Sequence, residues 1–464
     1  MVTNLTAVLQ DMDRKHHIHP FTDSKSLNEK GVRIITKAEG CHMWTSEGER
    51  VLDGMAGLWC VNIGYGRKEL ADVAYQQMLE LPYYNTFFQT STQPATELSA
   101  KLAEITPEGL NHVFYANSGS EANDTIAKMV RWYWNTKGQP KKKTIISRVN
   151  AYHGVTMAAA SLCGLFGMHP QFDLPLQGFV HADCPHWYRF GGDMDPEEFG
   201  LQAARSVENM ILSLGAENVG AFIGEPIMGA GGVLVPPASY WPEVQRICRK
   251  HDVLVIADEV ICGFGRTGNM WGSQTFGIKP DILTCAKALS SAYLPISAVM
   301  ISEEIFQGLR GNSEKLGLFG HGYTYSAHPA CAAVALRTQE LMQERDIIGH
   351  VKAVSPHFQK RIAKLGEHEL VGHARGVGLI GAVEIVADKA TKRSYDPAAK
   401  IGALIQNACQ EHGLITRAMP GDILGFCPPL IITSDEIDEM FDRFTNALDE
   451  TARQIKQEGA SAAQ

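Results

Sequence analysis

The stretch VLVIADEV, residues 253–260, is a short apolar run that ends on two carboxylates. A run apolar at every position and only strand-long reads as a strand buried on both faces. Working outward, similar runs occur at 112–115 (HVFY), 144–147, 219–223 and 281–285, with helical stretches between them. From Ser120 onward, Ala122, Ile126, Met129, Val130 and Tyr133 fall on one helical face. Buried strands separated by helices predict an α/β fold around a mostly parallel sheet. Past about residue 345 the pattern changes. RGVGLIGAVE, 375–384, reads as a turn and a strand, and Thr433-Ser-Asp-Glu436 is a capping-box pattern. Ile437, Met440, Phe441, Phe444 and Leu448 then form a helical stripe. This part reads as a second, smaller α+β domain, and the tail EGASAAQ (458–464) as frayed.

The chain of 464 residues is 45% hydrophobic and 20% charged, with a formal net charge of −9. An acidic balance argues against a nucleic-acid or anionic-membrane partner. The longest apolar runs are strand-sized, so no transmembrane segment is expected. The N-terminus lacks the continuous apolar stretch of a secretory signal, and the ten cysteines include no CxxC pair. Together these predict a cytoplasmic protein with reduced core thiols. Lys15-His16-His17-Ile18-His19 invites a metal reading, but no carboxylate or cysteine stands out at ligand spacing. No metal is therefore expected, and these read as pocket-mouth or interface histidines.

Four polar features fall just after predicted strands: Asn117-Ser118-Gly119-Ser120, Tyr152-His153-Gly154, Asp258-Glu259 and Lys287. Open parallel sheets bind ligands at the carboxyl ends of their strands. Ser118-Gly119-Ser120 suits a phosphate at a helix N-terminus, or an ordinary serine cap beside a turn glycine. Asp258 suits a carboxylate that keeps a pyridine nitrogen protonated, or a helix cap. Lys287 among small apolar neighbours suits a desolvated, imine-forming amine, or a snorkelling surface lysine. It lies 29 positions after Asp258, room for one connection and one strand on an adjacent track. Tyr152 suits ring stacking or core packing, and Val260 suits core packing.

With these residues assembled, the chain resembles the class III (omega) aminotransferases of fold type I, from about Phe21 to the C-terminal helix. The segments that carry the likeness are LDGMAGLWCVNIGYG (52–66), YNTFFQTS (84–91), YANSGSEANDTIAK (115–128), AYHGVT (151–156) and GEPIMGAGGVLVPP (224–237). With them stand IADEVICGFGRTG (256–268), KPDILTCAKALSSAYLPISAV (279–299) and HGYTYSAHPACAAVA (321–335). The amine–pyruvate subgroup is the most similar. The resemblance implies a seven-stranded, mostly parallel sheet in a large domain over 61–345. Residues 1–60 would join 346–464 in the smaller domain. It implies pyridoxal 5′-phosphate (PLP) held by Lys287, with Asp258 at the pyridinium nitrogen. Ser118, Gly119 and Ser120 would hold the phosphate, with Tyr152 and Val260 on the ring faces. Tyr323 and Thr324 would reach the cofactor phosphate of a neighbouring subunit, making a homodimer or a dimer of dimers. Phe21, Trp59, Ala230 and the partner's Phe87 would shape the substrate pocket. Arg417 would pair with a substrate carboxylate and swing away for an amine. Two positions depart from the family pattern, where alanine replaces a usual glycine: Ala288 and Ala292. Each is expected to add a methyl near the site.

The implied activity is ping-pong transfer of an amino group from a primary amine or omega-amino acid to a 2-oxo acid, pyruvate foremost, through pyridoxamine phosphate. An aminomutase or racemase would share the scaffold. A nicotinamide oxidoreductase, suggested by Gly229-Ala-Gly-Gly232, lacks the GxGxxG that a dinucleotide loop needs. Glu225 would join the site network or hold Arg417 at rest.

Overall fold

The strands Val219–Gly224, Leu254–Asp258 and Ile282–Cys285 are buried at every position. They are the centre of a seven-stranded sheet in a computed structural model that describes residues 5–311 and 317–462. Across the sheet the order is Leu110–Ala116, Ser297–Ser302, Ile282–Cys285, Leu254–Asp258, Val219–Gly224, Thr144–Arg148, Phe179–Ala182. Only Ser297–Ser302 runs antiparallel to its neighbours.

Side chains alternate between the two faces, as the pleat requires. Ile145, Ile223, Leu254 and Ile256 pack under the helix Gly119–Thr136. Ile146, Phe222 and Val255 pack on the opposite face, against the helices Pro196–Leu214 and Tyr240–Lys250. Both faces are thus covered, which is why the strands read as continuous apolar runs rather than alternating ones.

Two further four-stranded sheets flank this core. One joins Ile35–Glu39, His42–Thr45 and Arg50–Asp53 to Leu414–Ile415, which pairs in parallel with the third strand. The other holds Val371–Val377, Ile380–Ile385, Ile423–Phe426 and Arg417–Met419. The 375–384 segment is therefore a hairpin rather than a turn followed by one strand. Its tight turn sits at Gly378, where φ is +62°. The capping box forms: Glu436 N–H donates to Thr433 Oγ1 at 3.2 Å, and Thr433 N–H to Glu436 Oε2 at 2.9 Å. The helix it starts, Ser434–Ala462, buries the whole apolar stripe. It runs on into the tail that composition marks as frayed, whose last two residues, 463–464, lie outside the described residues.

All ten cysteines are unpaired, and all but Cys60 are buried. Among the described residues, no helix is long and apolar enough to cross a membrane.

Candidate active site

A cavity opens at the carboxyl edge of the large sheet. Its lining comes from the four polar features and little else: Gly119 and Ser120; Tyr152, His153 and Gly154; Asp258 with Val260 and Ile261; Ala286 and Lys287; and Glu225.

Ser118 leaves its strand in extended geometry and caps the helix Gly119–Thr136, its Oγ accepting from Glu121 N–H at 3.2 Å. The cap reading therefore holds, and the same helix start keeps the phosphate reading open. The N–H groups of Gly119 and Ser120 find no acceptor among the described residues and sit at the positive end of the helix. That is the physical basis of an anion site. Gly154 closes the loop from the next strand over Ser120. With φ +134° and an imagined Cβ only 2.5 Å from Ser120 Oγ, only glycine fits there. Ser120 Oγ accepts from Val155 N–H at 3.1 Å, which ties the two loops together.

Asp258 ends its strand and is buried. Its Oδ2 accepts from Asn123 Nδ2 at 2.9 Å and pairs with His153 Nδ1 at 2.7 Å, and Oδ1 accepts from Val260 N–H at 3.1 Å. His153 is fixed in turn by Ser147 Oγ at 3.1 Å. Sequence reading named His153 only as part of a polar feature and quoted Asn123 only within a segment, and it assigned a role to neither. Glu259 takes the other direction. Its carboxylate accepts from Gly272 N–H at 2.9 Å and Ser273 N–H at 2.5 Å, pinning a short helix. Burial pushes its carboxyl up to about 7.

Register aligns Asp258 with Thr284 on the adjacent parallel strand, and Lys287 follows three residues later. Lys287 is neither a snorkelling nor a surface residue. Its φ is +47°, a left-handed backbone unusual for a lysine. Its Nζ makes no hydrogen bond or ion pair among the described residues. Burial lowers its pKa, against the opposing pull of Cys60 and Asp258. More of it is therefore a neutral, nucleophilic amine near neutral pH than in an ordinary lysine.

Around this centre the other expected residues divide. Trp59 is buried with Ile227 and Ile261, and Ala230 is buried on the loop after Glu225. Arg417 is partly buried and close enough to Tyr152 for each to shift the other's ionisation. Its guanidinium has no hydrogen bond or ion pair among the described residues. Glu225 does not hold it. Its two oxygens accept from Tyr152 N–H at 3.1 Å and Gly229 N–H at 2.9 Å, joining the cavity wall to the Ala230 loop. None of Trp59, Ala230 and Arg417 lines this cavity, nor do Ser118, Phe21, Phe87, Tyr323 and Thr324. Phe21 is exposed in a neighbouring groove with Val155 and Met157. Phe87 packs on Gly322, Tyr323 OH donates to Glu121 O at 2.9 Å, and exposed Thr324 offers its carbonyl to Tyr83 OH at 2.7 Å. Ala288 and Ala292 do not line it either. Ala288 faces the core and Ala292 is exposed with φ +62°, so the extra methyls do not narrow this cavity.

The chain belongs to the class III aminotransferases, whose family model matches residues 25–448. It is 52% identical over 456 residues to the putrescine–pyruvate aminotransferase of Pseudomonas aeruginosa, covering 98% of this chain and 99% of that protein. It is 42% identical to the diaminobutyrate–2-oxoglutarate transaminase of Halomonas elongata, covering 97% and 98% of the two chains. The crystal structure of the omega transaminase from Pseudomonas jessenii in complex with PMP superposes with a TM-score of 0.95 at 46% identity, covering 97% of this chain and 99% of that one. The fold is that of fold type I enzymes, and the protein is an omega-aminotransferase whose cofactor is PLP. The cavity fits that group on three features of this chain. Two amides at a helix N-terminus lack acceptors, a buried carboxylate is held in a fixed orientation, and an unpartnered amine stands in the turn just after the adjacent strand.

Proposed function

We propose that this cavity moves an amino group from a short primary amine, putrescine foremost, to a 2-oxo acid, pyruvate foremost. The name of the Pseudomonas aeruginosa relative supports the substrate pair. The observation that carries the reading is the unpartnered, desolvated amine of Lys287, which shares one cavity with Asp258 just beyond the end of the adjacent strand.

When bound, PLP supplies a carbonyl carbon for amine exchange and a ring that takes up electron density. Lys287 would hold that carbon and yield it to the donor amine. It would then move a proton between the donor carbon and C4′ of the cofactor. Asp258 would face the ring nitrogen, its carboxylate steadied by Asn123 and His153. Gly119 and Ser120, with the Ser118 cap behind them, would receive the phosphate. Tyr152 and Val260 would hold the ring faces. Arg417, unpaired among the described residues, would bind the acceptor carboxylate through parallel N–H bonds and withdraw from a cationic donor. Trp59 and Ala230 would bound the substrate space.

The same reading makes the protein a homodimer, alone or paired into a tetramer, in the cytoplasm. Phe87, Tyr323 and Thr324 of one copy would complete the other copy's site, with Phe21 at its approach. Residues 1–60 and 346–464 would form the smaller domain beside 61–345. A half-reaction screen tests the substrate class. The cofactor's visible band should be lost on adding putrescine and restored by pyruvate. Failure of every short amine to change that band would refute it.

A further inference from the structure

The helix Leu5–His16 ends in a histidine-rich turn that amino transfer does not use. The view that no carboxylate serves these histidines is wrong, because Asp13 stands one helical turn before His17. His17 N–H bonds Asp13 O at 2.9 Å, so helical geometry carries on through His17. This brings His17 Nδ1 to 3.1 Å from Asp13 Oδ1. After Ile18 the chain doubles back and sets His19 Nε2 2.9 Å from Asp13 Oδ2. The two imidazoles stand 4.1 Å apart, and one ligand atom from each of the three residues lies within 4.8 Å of the others. The Asp13 and His19 side chains keep only 15% and 18% of their exposure, whereas Ile18 between the histidines is 91% exposed. The turn therefore spends an apolar side chain on solvent while three polar ones converge.

We propose that Asp13, His17 and His19 form a binding site for a divalent transition-metal ion of the zinc type. Two imidazole nitrogens and one carboxylate oxygen are a borderline ligand set, which favours zinc, nickel or copper over magnesium and calcium. Ligand bonds of about 2.0–2.1 Å in a tetrahedron put neighbouring ligand atoms about 3.3 Å apart. Asp13 Oδ1 lies 3.1 Å from His17 Nδ1 and 3.0 Å from His19 Nε2, so these two contacts need to open by only a few tenths of an ångström. The exposed flank of His17 leaves room for water as a fourth ligand. The nearest lysine, Lys15, is paired with Asp11 at 2.7 Å and does not fill the place of the ion. The other such cluster, His186, His373 and Glu384, differs in this respect, since Arg375 and Arg189 already occupy Glu384. The site also has a consequence. His19 lines the same groove as Phe21 and Met157, so a bound ion would tether the segment bearing Phe21 to the N-terminal helix.

The test is zinc binding by the untagged, cofactor-loaded enzyme, followed by competition with a chromogenic chelator. The cobalt form is inspected in parallel for the visible bands of a tetrahedral ion. Wild type should bind one zinc per chain at this site. His17→Ala, His19→Ala and Asp13→Asn should each weaken it at least about tenfold. His16→Ala, one position away and exposed, should not. Circular dichroism and metal-free transaminase activity of the variants check that each still folds. No binding above chelator background, wild-type affinity in all three variants, or an equal loss in His16→Ala would overturn the proposal.

Discussion

Lys287 lines the cavity and Arg417 lies near Tyr152 of its wall, and neither side-chain cation has a hydrogen-bond or ion-pair partner among the described residues. For Lys287 the consequence is a lowered pKa, caused by burial, and hence a reactive amine. Lys287→Ala should abolish multiple turnover, with a fraction restored by added small amines, as measured by product formation over many cycles. For Arg417 the proposed role is to bind the acceptor's carboxylate. Arg417→Ala should raise the KM for pyruvate about 10–100-fold, the loss of a charged hydrogen-bonded pair worth about 1.5–3 kcal/mol. The half-reaction with a diamine lacking a carboxylate should be little changed. Steady-state and single-turnover kinetics separate the two effects. Lys287 was legible only through company, since a lone lysine among small residues suits a surface equally well. The freedom of Arg417 and the reach of Asp13 were not legible, because both depend on how distant or doubled-back segments lie in space.

At the scale of elements, five strands of the large sheet could be read from the chain because each carries a short, mostly apolar run. Phe179–Ala182 escaped because His181 breaks its apolar run after two residues. Ser297–Ser302 escaped because it follows the lysine segment with no helix between, breaking the strand–helix rhythm that marks its neighbours. The second arm of the 371–385 hairpin was read and the first was not, since Val371–Val377 is only partly buried. Loops after the strands line the cavity, and they depend on close approach. Gly154→Ala should place a methyl against Ser120 in a backbone that alanine disfavours. The expected cost is about 1–3 kcal/mol of stability, with weaker cofactor retention. Thermal unfolding and cofactor titration of the variant measure both.

Across the whole molecule, one buried ion network joins the C-terminal sheet to the loops near the cavity. Arg375 donates to Glu384 at 2.9 Å and to the carbonyl of Gly232 at 2.7 Å, while Arg189 and His186 also meet Glu384. Burial acts to raise the Glu384 carboxyl, but His186 and Arg375 outweigh it and hold it down to about 2. A depressed carboxylate stabilises the fold above its ordinary value, and that contribution disappears as pH falls toward about 2. Glu384→Gln should therefore destabilise by about 3–5 kcal/mol near neutrality, because Arg375 is left buried without its partner. Chemical denaturation at about pH 6 and about pH 3 should show the gap from wild type narrowing at the lower pH. This link was hidden in the sequence, since Arg189, Gly232 and Glu384 lie far apart along it. The large sheet and the edge that bears the site were not hidden, because local apolar runs and the polar residues after them define both.

All of these scales bear on the proposal that Lys287 holds the cofactor. The most direct measurement is borohydride reduction of the loaded enzyme, followed by mass mapping of its peptides. The account predicts one cofactor-derived mass per chain, on the peptide that contains Lys287. A label on another lysine, or none on a fully loaded enzyme, would contradict it.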